Sequence, residues 1–567
     1  METEEKKRLM HTSLGEEEPD IVLKNAGIVD VFTEKLFTAD IAVRDGYIAG
    51  VGDYHGAREI DMTGKIIAPG FVDAHVHIES SMVAPSIFAK KVLPCGTTTV
   101  IADPHEIVNV AGLKGLEYIL KDSEACKLNI YYVLPSCVPL NQYDNNGAVF
   151  DVEQMKKICE NPHIVGLGEV MNYEAVTACN QDLLEKIELL QPKTIDGHAP
   201  GLCGKKLQAY RIAGVDTDHE CSDYEGALER LRAGFIVQIR EGSAAKNLTR
   251  IISGALKDGI SFDRFVFCTD DVHLADTAKH GHINHNIKMA IRLGLDPIRA
   301  IKLATLNPAR VYGLKDIGAV APGFRADLVV LNSLDELSIA DVYKDGVSIH
   351  EIEYHDLKTE APDKITNSVH VPKLEKSCLE LTVHGEFPVI GVIPGEIVTK
   401  KLMMRLPQEN GIFTPKDDLL KIAVVQRHDG SGRIGLGVVK GFGLKNGAVA
   451  STVAHDAHNL IVIGDNDADM LAAIEELKAC GGGYTIVRGG KAVNTLKLRI
   501  AGLFTDDRSA DMIEQLSGMA NCAHRMGVPE NIDVFQNLSF LSLPVIPELR
   551  ITDIGLFDVA ENQFIKL

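Results

Sequence analysis

Two histidines spaced two residues apart, in Asp73-Ala-His75-Val-His77, are the first residues of this chain with an obvious chemistry. Alternate side chains of a strand point the same way, so both imidazoles can reach one cation from a strand end. Such a pair alone is weak evidence, because strand-end histidines are common. Four more metal-capable residues further along the chain give it weight. Glu169 closes the apolar run Ile164-Val-Gly-Leu-Gly-Glu169, and His198 closes Thr194-Ile-Asp-Gly-His198. His219 comes after Val215-Asp-Thr-Asp-His219, and Asp270 closes Phe265-Val-Phe-Cys-Thr-Asp270. Singly each reads as a polar loop residue. All six in chain order, each at the C-terminal end of an apolar run, point to a metal site. Imidazole and carboxylate donors suit Zn, Fe or Mn.

The elements that must position these residues keep one rhythm. Candidate strands are Ile66 to His77, Thr97 to Ala102, Asn129 to Leu134, Ile164 to Glu169, Thr194 to His198, Gly214 to Asp218, Ile236 to Ile239 and Phe265 to Asp270. Helix-like segments such as Met82 to Leu93, Gly204 to Ile212 and Tyr224 to Ala233 lie between them. Strands alternating with helices predict an α/β fold, a (β/α)8 TIM barrel whose active site occupies the C-terminal strand ends. A doubly wound open sheet is the alternative. Short strands before Lys65 and the run Gly318 to Leu331, after a predicted helix Pro297 to Tyr312, are expected to form a small β domain from two segments. A charged, Pro-containing linker spans Asp356 to Lys373, and strands with helices at Asp467 to Ala479 and Ala510 to Arg525 predict a C-terminal α+β domain. The expected layout is 1–64 and 317–360 for the β domain, 65–316 for the barrel and 375–567 for the C-terminal domain.

Bulk properties narrow the function. A chain of 567 residues is too long for one core. A formal charge of −21 argues against nucleic acid as a partner. No apolar stretch reaches the roughly 20 residues a membrane span needs, and the charged N-terminus lacks the apolar core of a signal peptide. Eleven scattered cysteines without a CxxC pair suit a reducing cytoplasm and leave no Cys-zinc site. Asp103-Pro-His105-Glu106 begins like HExxH, but Asn109 stands where the second histidine belongs. The cytosine-deaminase signature also fails for want of its cysteine pair. The glycines between Gly435 and Gly447 fit neither a dinucleotide fingerprint nor a P-loop.

The order HxH, acid, His, His, Asp resembles the amidohydrolase superfamily, as do Leu306-Asn-Pro-Ala309 and Gly318 to Leu328 beyond the barrel. More narrowly, His77-Ile-Glu-Ser-Ser-Met82, Asp103-Pro-His-Glu106, Gly166-Leu-Gly-Glu-Val-Met171, Asp196-Gly-His-Ala199 and Thr269-Asp-Asp271 resemble the adenine deaminase family. So do Gly430-Ser-Gly-Arg-Ile-Gly435, Ala454-His-Asp-Ala-His-Asn459 and Gly464-Asp-Asn-Asp-Ala-Asp469 in the C-terminal part. Many binuclear amidohydrolases bridge their metals with a carboxylated lysine. Here Glu169 holds that position.

The resemblance implies a binuclear divalent centre, manganese foremost, with iron or zinc as alternatives. His75, His77 and Asp270 would bind one ion, His198 and His219 the other, and Glu169 would bridge them. An ionised water attacks C6 of adenine, Asp270 takes its proton, and hypoxanthine and ammonia leave, a step of purine salvage or adenine catabolism. Glu79 joins Asp270 and Glu169 as a catalytic candidate. Glu79, Ser80, Asp103, His105, Glu106, Arg240 and Asp271 are candidates for holding the purine, and Glu241 neighbours them. His455, Asp456, His458 and Asn459 stand open between capping the site and a plain domain contact. A homodimer in the cytoplasm is expected. The rivals are a cyclic amidohydrolase of dihydropyrimidinase or dihydroorotase type on the same barrel and, more remotely, a non-catalytic scaffold.

Overall fold

The apolar run from Ile66 to His77, expected as one strand, divides at Gly70. In this computed structural model, which describes residues 2–124, 126–243, 245–353, 359–509 and 511–566, the two halves belong to different sheets. Ile66–Pro69 pairs in parallel with Ile21–Asp30 and antiparallel with Leu328–Ser333, whereas Phe71–His77 enters a parallel sheet. A Cβ on Gly70 would lie 2.1 Å from Thr98 Oγ1, so glycine alone lets the chain cross between the sheets there.

Segments before and after the parallel strands therefore share one eight-stranded sheet. Its order is Val347–Ser348, Ser338–Lys344, Leu328–Ser333, Ile66–Pro69, Ile21–Asp30, Lys35–Arg44 and Tyr47–Gly52, with Glu59–Asp61 beside Ile21–Asp30. Of the run Gly318 to Leu331, only the part from Leu328 is strand. Gly323 takes φ 83° and the Phe324 N–H returns to the Ala321 carbonyl at 3.1 Å, so Pro322 sits in a turn.

A six-stranded parallel sheet runs Thr194–Gly197, Ile164–Val170, Asn129–Leu134, Thr97–Ala102, Phe71–His77 and Asp270–Asp271. Three further strands, Thr217–Asp218, Ile236–Arg240 and Phe265–Cys268, pair in parallel beside one another. Phe265–Cys268 continues through Thr269 into Asp270–Asp271. The break falls where the Asp73 carboxylate takes both the Thr269 N–H and its hydroxyl. At the other junction the Asp216 N–H donates to the Ile195 carbonyl at 2.8 Å. The expected strand Gly214 to Asp218 shrinks to Thr217–Asp218, because the Asp216 carboxylate occupies the Ile195 N–H in place of a ladder partner. Strands such as Phe71–His77, Thr97–Ala102 and Ile164–Val170 are buried along their whole length, as parallel strands covered on both faces must be.

Helices cover these strands. Tyr224–Ala233 starts on Asp223, whose carboxylate accepts the Gly226 N–H, and Gly234 ends it in the left-handed region. The expected helix Pro297 to Tyr312 is two, Pro297–Leu303 and Leu306–Val311. They part where the Thr305 hydroxyl folds back to the Ile301 carbonyl at 2.8 Å.

The C-terminal part is built on an eight-stranded, mostly antiparallel sheet from Glu386–Val392 to Lys491–Lys497. Helix Asp467–Cys480 packs on it, and Met512–Arg525 and Val534–Phe540 come after. Ala510, the expected start of the penultimate helix, lies outside the described residues, as do 356–358 of the expected linker. This part sits over the C-terminal ends of the parallel strands. The Ala84 N–H donates to the Thr505 carbonyl at 2.8 Å, and Asn459 Nδ2 to the Asn145 carbonyl at 2.8 Å.

Candidate metal centre

All six metal-capable side chains converge at one end of the parallel strands, and all but His198 are buried. Glu169 is the pivot. Its Oε1 lies 3.1 Å from His77 Nε2 and 3.9 Å from His75 Nε2. Its Oε2 lies 2.6 Å from His198 Nδ1 and 3.3 Å from His219 Nε2. Asp270 Oδ1 lies 3.2 Å from His77 Nε2, and the two Nε2 atoms of His75 and His77 are 3.3 Å apart. Donors that share a cation at ~2.1 Å stand about 3.0–3.4 Å from one another; four of these six separations fall there, while Glu169–His198 is shorter and Glu169–His75 longer. Two imidazole nitrogens facing each other at this range offer lone pairs to a common point.

The surroundings orient these side chains. His77 Nδ1 lies 3.0 Å from the Asp103 carbonyl, which can only accept, so Nε2 presents its lone pair inward. Asp103 Oδ2 accepts the Glu169 N–H at 2.9 Å; a Cβ on the intervening Gly168 would lie 2.2 Å from that oxygen. Arg240 Nη1 donates to Asp270 Oδ2 and to Glu220 Oε1, both at 2.6 Å. His75 Nδ1 and His219 Nδ1 are buried without a hydrogen-bond partner; the nearest carboxylate to the former, Asp196 Oδ2, is 3.8 Å away.

Electrostatics agree. Burial pushes the Glu169 carboxyl up, but His198, His219 and His77 outweigh it and hold it well below the carboxylate range. Burial likewise opposes the charge on Asp270, and Arg240 and His77 reverse that. Burial would lower His198, yet Glu220 and Glu169 raise it to about 9. Protons on these imidazoles balance the carboxylates, and a cation would take their place.

The purine-holding candidates divide. Glu79, Ser80, Glu106 and Asp271 line a cavity of about 810 Å³ beside the centre. The Ser80 hydroxyl donates to Asp271 Oδ1, and burial pushes the Glu79 carboxyl up to about 7. Asp103 and Arg240 instead face the ligands, and His105 lies between Glu106 and Glu169, 3.4 Å from each. Glu241 is half-buried near Lys246, at 3.7 Å. The opposite cavity wall comes from the C-terminal part, including His455, His458, Tyr484 and Phe540. Sequence reasoning passed over Glu220, Asp73 and Asp196. Asp73 and Asp196 stand two residues before His75 and His198, so the two-residue period that exposed the ligands could have found them.

A family model described as the amidohydrolase family matches residues 66–349, and one described as the adenine deaminase C-terminal domain matches residues 396–563. An adenine deaminase of Desulfitobacterium hafniense (strain Y51) is 45% identical over 567 residues, covering 100% of both chains. Adenine deaminase 2 of Carboxydothermus hydrogenoformans is 44% identical over 98% of each. A solved adenine deaminase structure is 18% identical, with 55% of this chain and 90% of its own covered and a TM-score of 0.43.

Proposed function

The chain belongs to the adenine deaminase family of amidohydrolases, and from that premise we propose that it hydrolyses adenine to hypoxanthine and ammonia. The observation that carries this reading is that the resemblance runs through the C-terminal domain, and that this domain walls the cavity beside the metal-ligand set. The cyclic-amide and scaffold readings have no comparable support.

In this reading the two parallel sheets form one (β/α)8 barrel, joined through Thr269 on one side and through the Asp216–Ile195 hydrogen bond on the other. Residues 65–316 form it, 1–64 and 317–360 the β domain, and 375–567 the C-terminal domain. His75, His77 and Asp270 would hold one cation and His198 and His219 the other, with the Glu169 carboxylate shared. The donors fit borderline-to-hard divalent ions, manganese first, iron or zinc next. When bound, such ions supply the Lewis acidity that ionises water near neutral pH. Asp270 receives the proton of the attacking water, while Arg240 holds its carboxylate in place through Oδ2. Glu79, buried yet lining the cavity, carries a proton to the departing amine, so that ammonia leaves rather than amide ion. Ser80, Asp271 and Glu106 hold the base. Asp103 and Arg240 align ligands, and His105 spaces the two groups.

The cysteines are all free, which supports a reducing, cytoplasmic setting, and among the described residues no helix is long and apolar enough to cross a membrane. A homodimer is the proposed assembly. The test is manganese-loaded protein with adenine, ammonia and hypoxanthine being measured, and hydantoin and dihydroorotate alongside. Ammonia release from adenine is expected. Ring opening of either cyclic amide with adenine untouched would sink the reading.

A further inference from the structure

Glu106, His455 and His458 gather closely enough to be taken for a third cation site. Hydrogen bonding argues otherwise. His458 Nδ1 lies 3.1 Å from the Ala454 N–H, which can only donate. The neutral ring therefore carries its proton on Nε2, and that proton faces Glu106 Oε2. A protonated ring nitrogen has no lone pair for a cation. His455 Nδ1, 2.7 Å from Glu106 Oε1, completes the grip on the carboxylate.

His455 is fixed on every other side. Its ring stacks on Phe540 with centroids 4.8 Å apart. Its N–H donates to Ser539 Oγ at 3.3 Å, and its carbonyl accepts from Ser542 Oγ at 3.2 Å. Burial would lower the His455 pKa, yet Glu106 raises it to about 9, so the ring holds both protons; with Nδ1–H engaged by Glu106, Nε2–H is the polar group the ring has left. The residue lines the cavity, and its side chain is 15% exposed. A single imidazole, that of His105, separates Glu106 from Glu169.

We propose that His455, aligned by Glu106, is a substrate-binding residue supplied by the C-terminal domain. Its Nε2 donates to a ring nitrogen on the edge of the base remote from C6, and His458 acts through Glu106 as a positioning residue. This rests on the adenine deaminase reading above.

Two variants separate the grip from the contact. His455→Asn keeps an amide where Nδ1 meets Glu106 but cannot reach the base. His455→Gln places a donor near the Nε2 position. On full-length, manganese-loaded protein, His455→Asn is expected to raise KM for adenine about tenfold, with kcat within about threefold, the loss of one hydrogen bond. His455→Gln is expected to recover most of the KM. Calorimetry of adenine on metal-stripped protein is expected to show the same weakening, and manganese content is expected to match wild type in both variants. An unmoved KM and binding in His455→Asn, a fall confined to kcat, or loss of one manganese equivalent each overturns the proposal. Wild-type protein that releases no ammonia from adenine overturns the deaminase reading and this inference with it.

Discussion

Two buried polar clusters lie close together in this molecule and are built on opposite terms. At the strand ends, ring nitrogens of His75 and His77 face each other at 3.3 Å and those of His198 and His219 at 3.2 Å around the Glu169 and Asp270 carboxylates, an arrangement that converges on common points rather than pairing donor with acceptor. In the C-terminal domain, Arg427 is fully buried with no carboxylate beside it, yet backbone oxygens surround it. It donates to the carbonyls of His458, Ser368, Ala501 and Thr452 and to Ser368 Oγ. Burial lowers its pKa to about 9. A cluster whose polar groups are matched internally is finished structure, whereas one left unmatched awaits something from outside. Arg427 holds the loop that carries His455 and His458, so the finished cluster braces the cavity wall beside the unfinished one.

If that contrast is sound, damage to the first cluster destroys chemistry and damage to the second destroys stability. Glu169→Gln is the hardest test. A neutral amide cannot balance two cations, so kcat/KM for adenine should fall by about 10³-fold or more, with fewer than two manganese equivalents retained. Wild-type metal content and activity in this variant would erase the distinction. Chelation of wild-type protein should likewise lower the thermal midpoint, restored by manganese, because an ion at a hundred times its Kd contributes about 2.7 kcal/mol. Arg427→Met should cost about 2–4 kcal/mol in denaturant unfolding, because several buried carbonyls lose their donor. Its manganese content should not change.

How much of this the sequence disclosed depends on distance along the chain. The convergence of the six metal-capable side chains was legible because strand periodicity and strand ends are local signals: one residue in two, then a turn. The division at Gly70 had a local signal, the Pro69-Gly70 dipeptide inside the apolar run, but that the two halves join different sheets depends on the distant Thr98, whose approach leaves no room for a Cβ there. The carboxylates of Asp73, at Thr269, and of Asp216, at Ile195, shortened two strands by replacing ladder bonds, which no propensity encodes. The grip of His458 on Glu106 joins residues 352 apart, and its spacing His455-x-x-His458 has no strand period to announce it. The C-terminal motif marked a resemblance without saying what it touches.

Arg240 tests whether the ligand cluster depends on its supports. Its guanidinium bridges Asp270 and Glu220, and its side chain is 14% exposed. Arg240→Met leaves two carboxylates facing each other and frees Asp270 to turn. Loss of such a support typically costs 10–100-fold, so a fall of about that size in kcat/KM is expected, with weaker manganese binding measured by chelator competition. A change in unfolding stability alone, with kcat intact, would move Arg240 into the class of Arg427.

Ser80 offers the smallest and most discriminating effect. Its hydroxyl donates to Asp271 Oδ1 within the cavity wall, and neither residue is among the six ligands. Ser80→Ala removes one hydrogen bond at a half-buried site, worth about 0.5–1.5 kcal/mol. If Asp271 faces the base, that loss should emerge as a threefold to tenfold rise in KM at about constant kcat. Metal content should stay at the wild-type value. A drop in kcat with unaltered KM would instead tie Asp271 to the reacting atoms, drawing the boundary of the unfinished cluster one residue wider than the metal ligands.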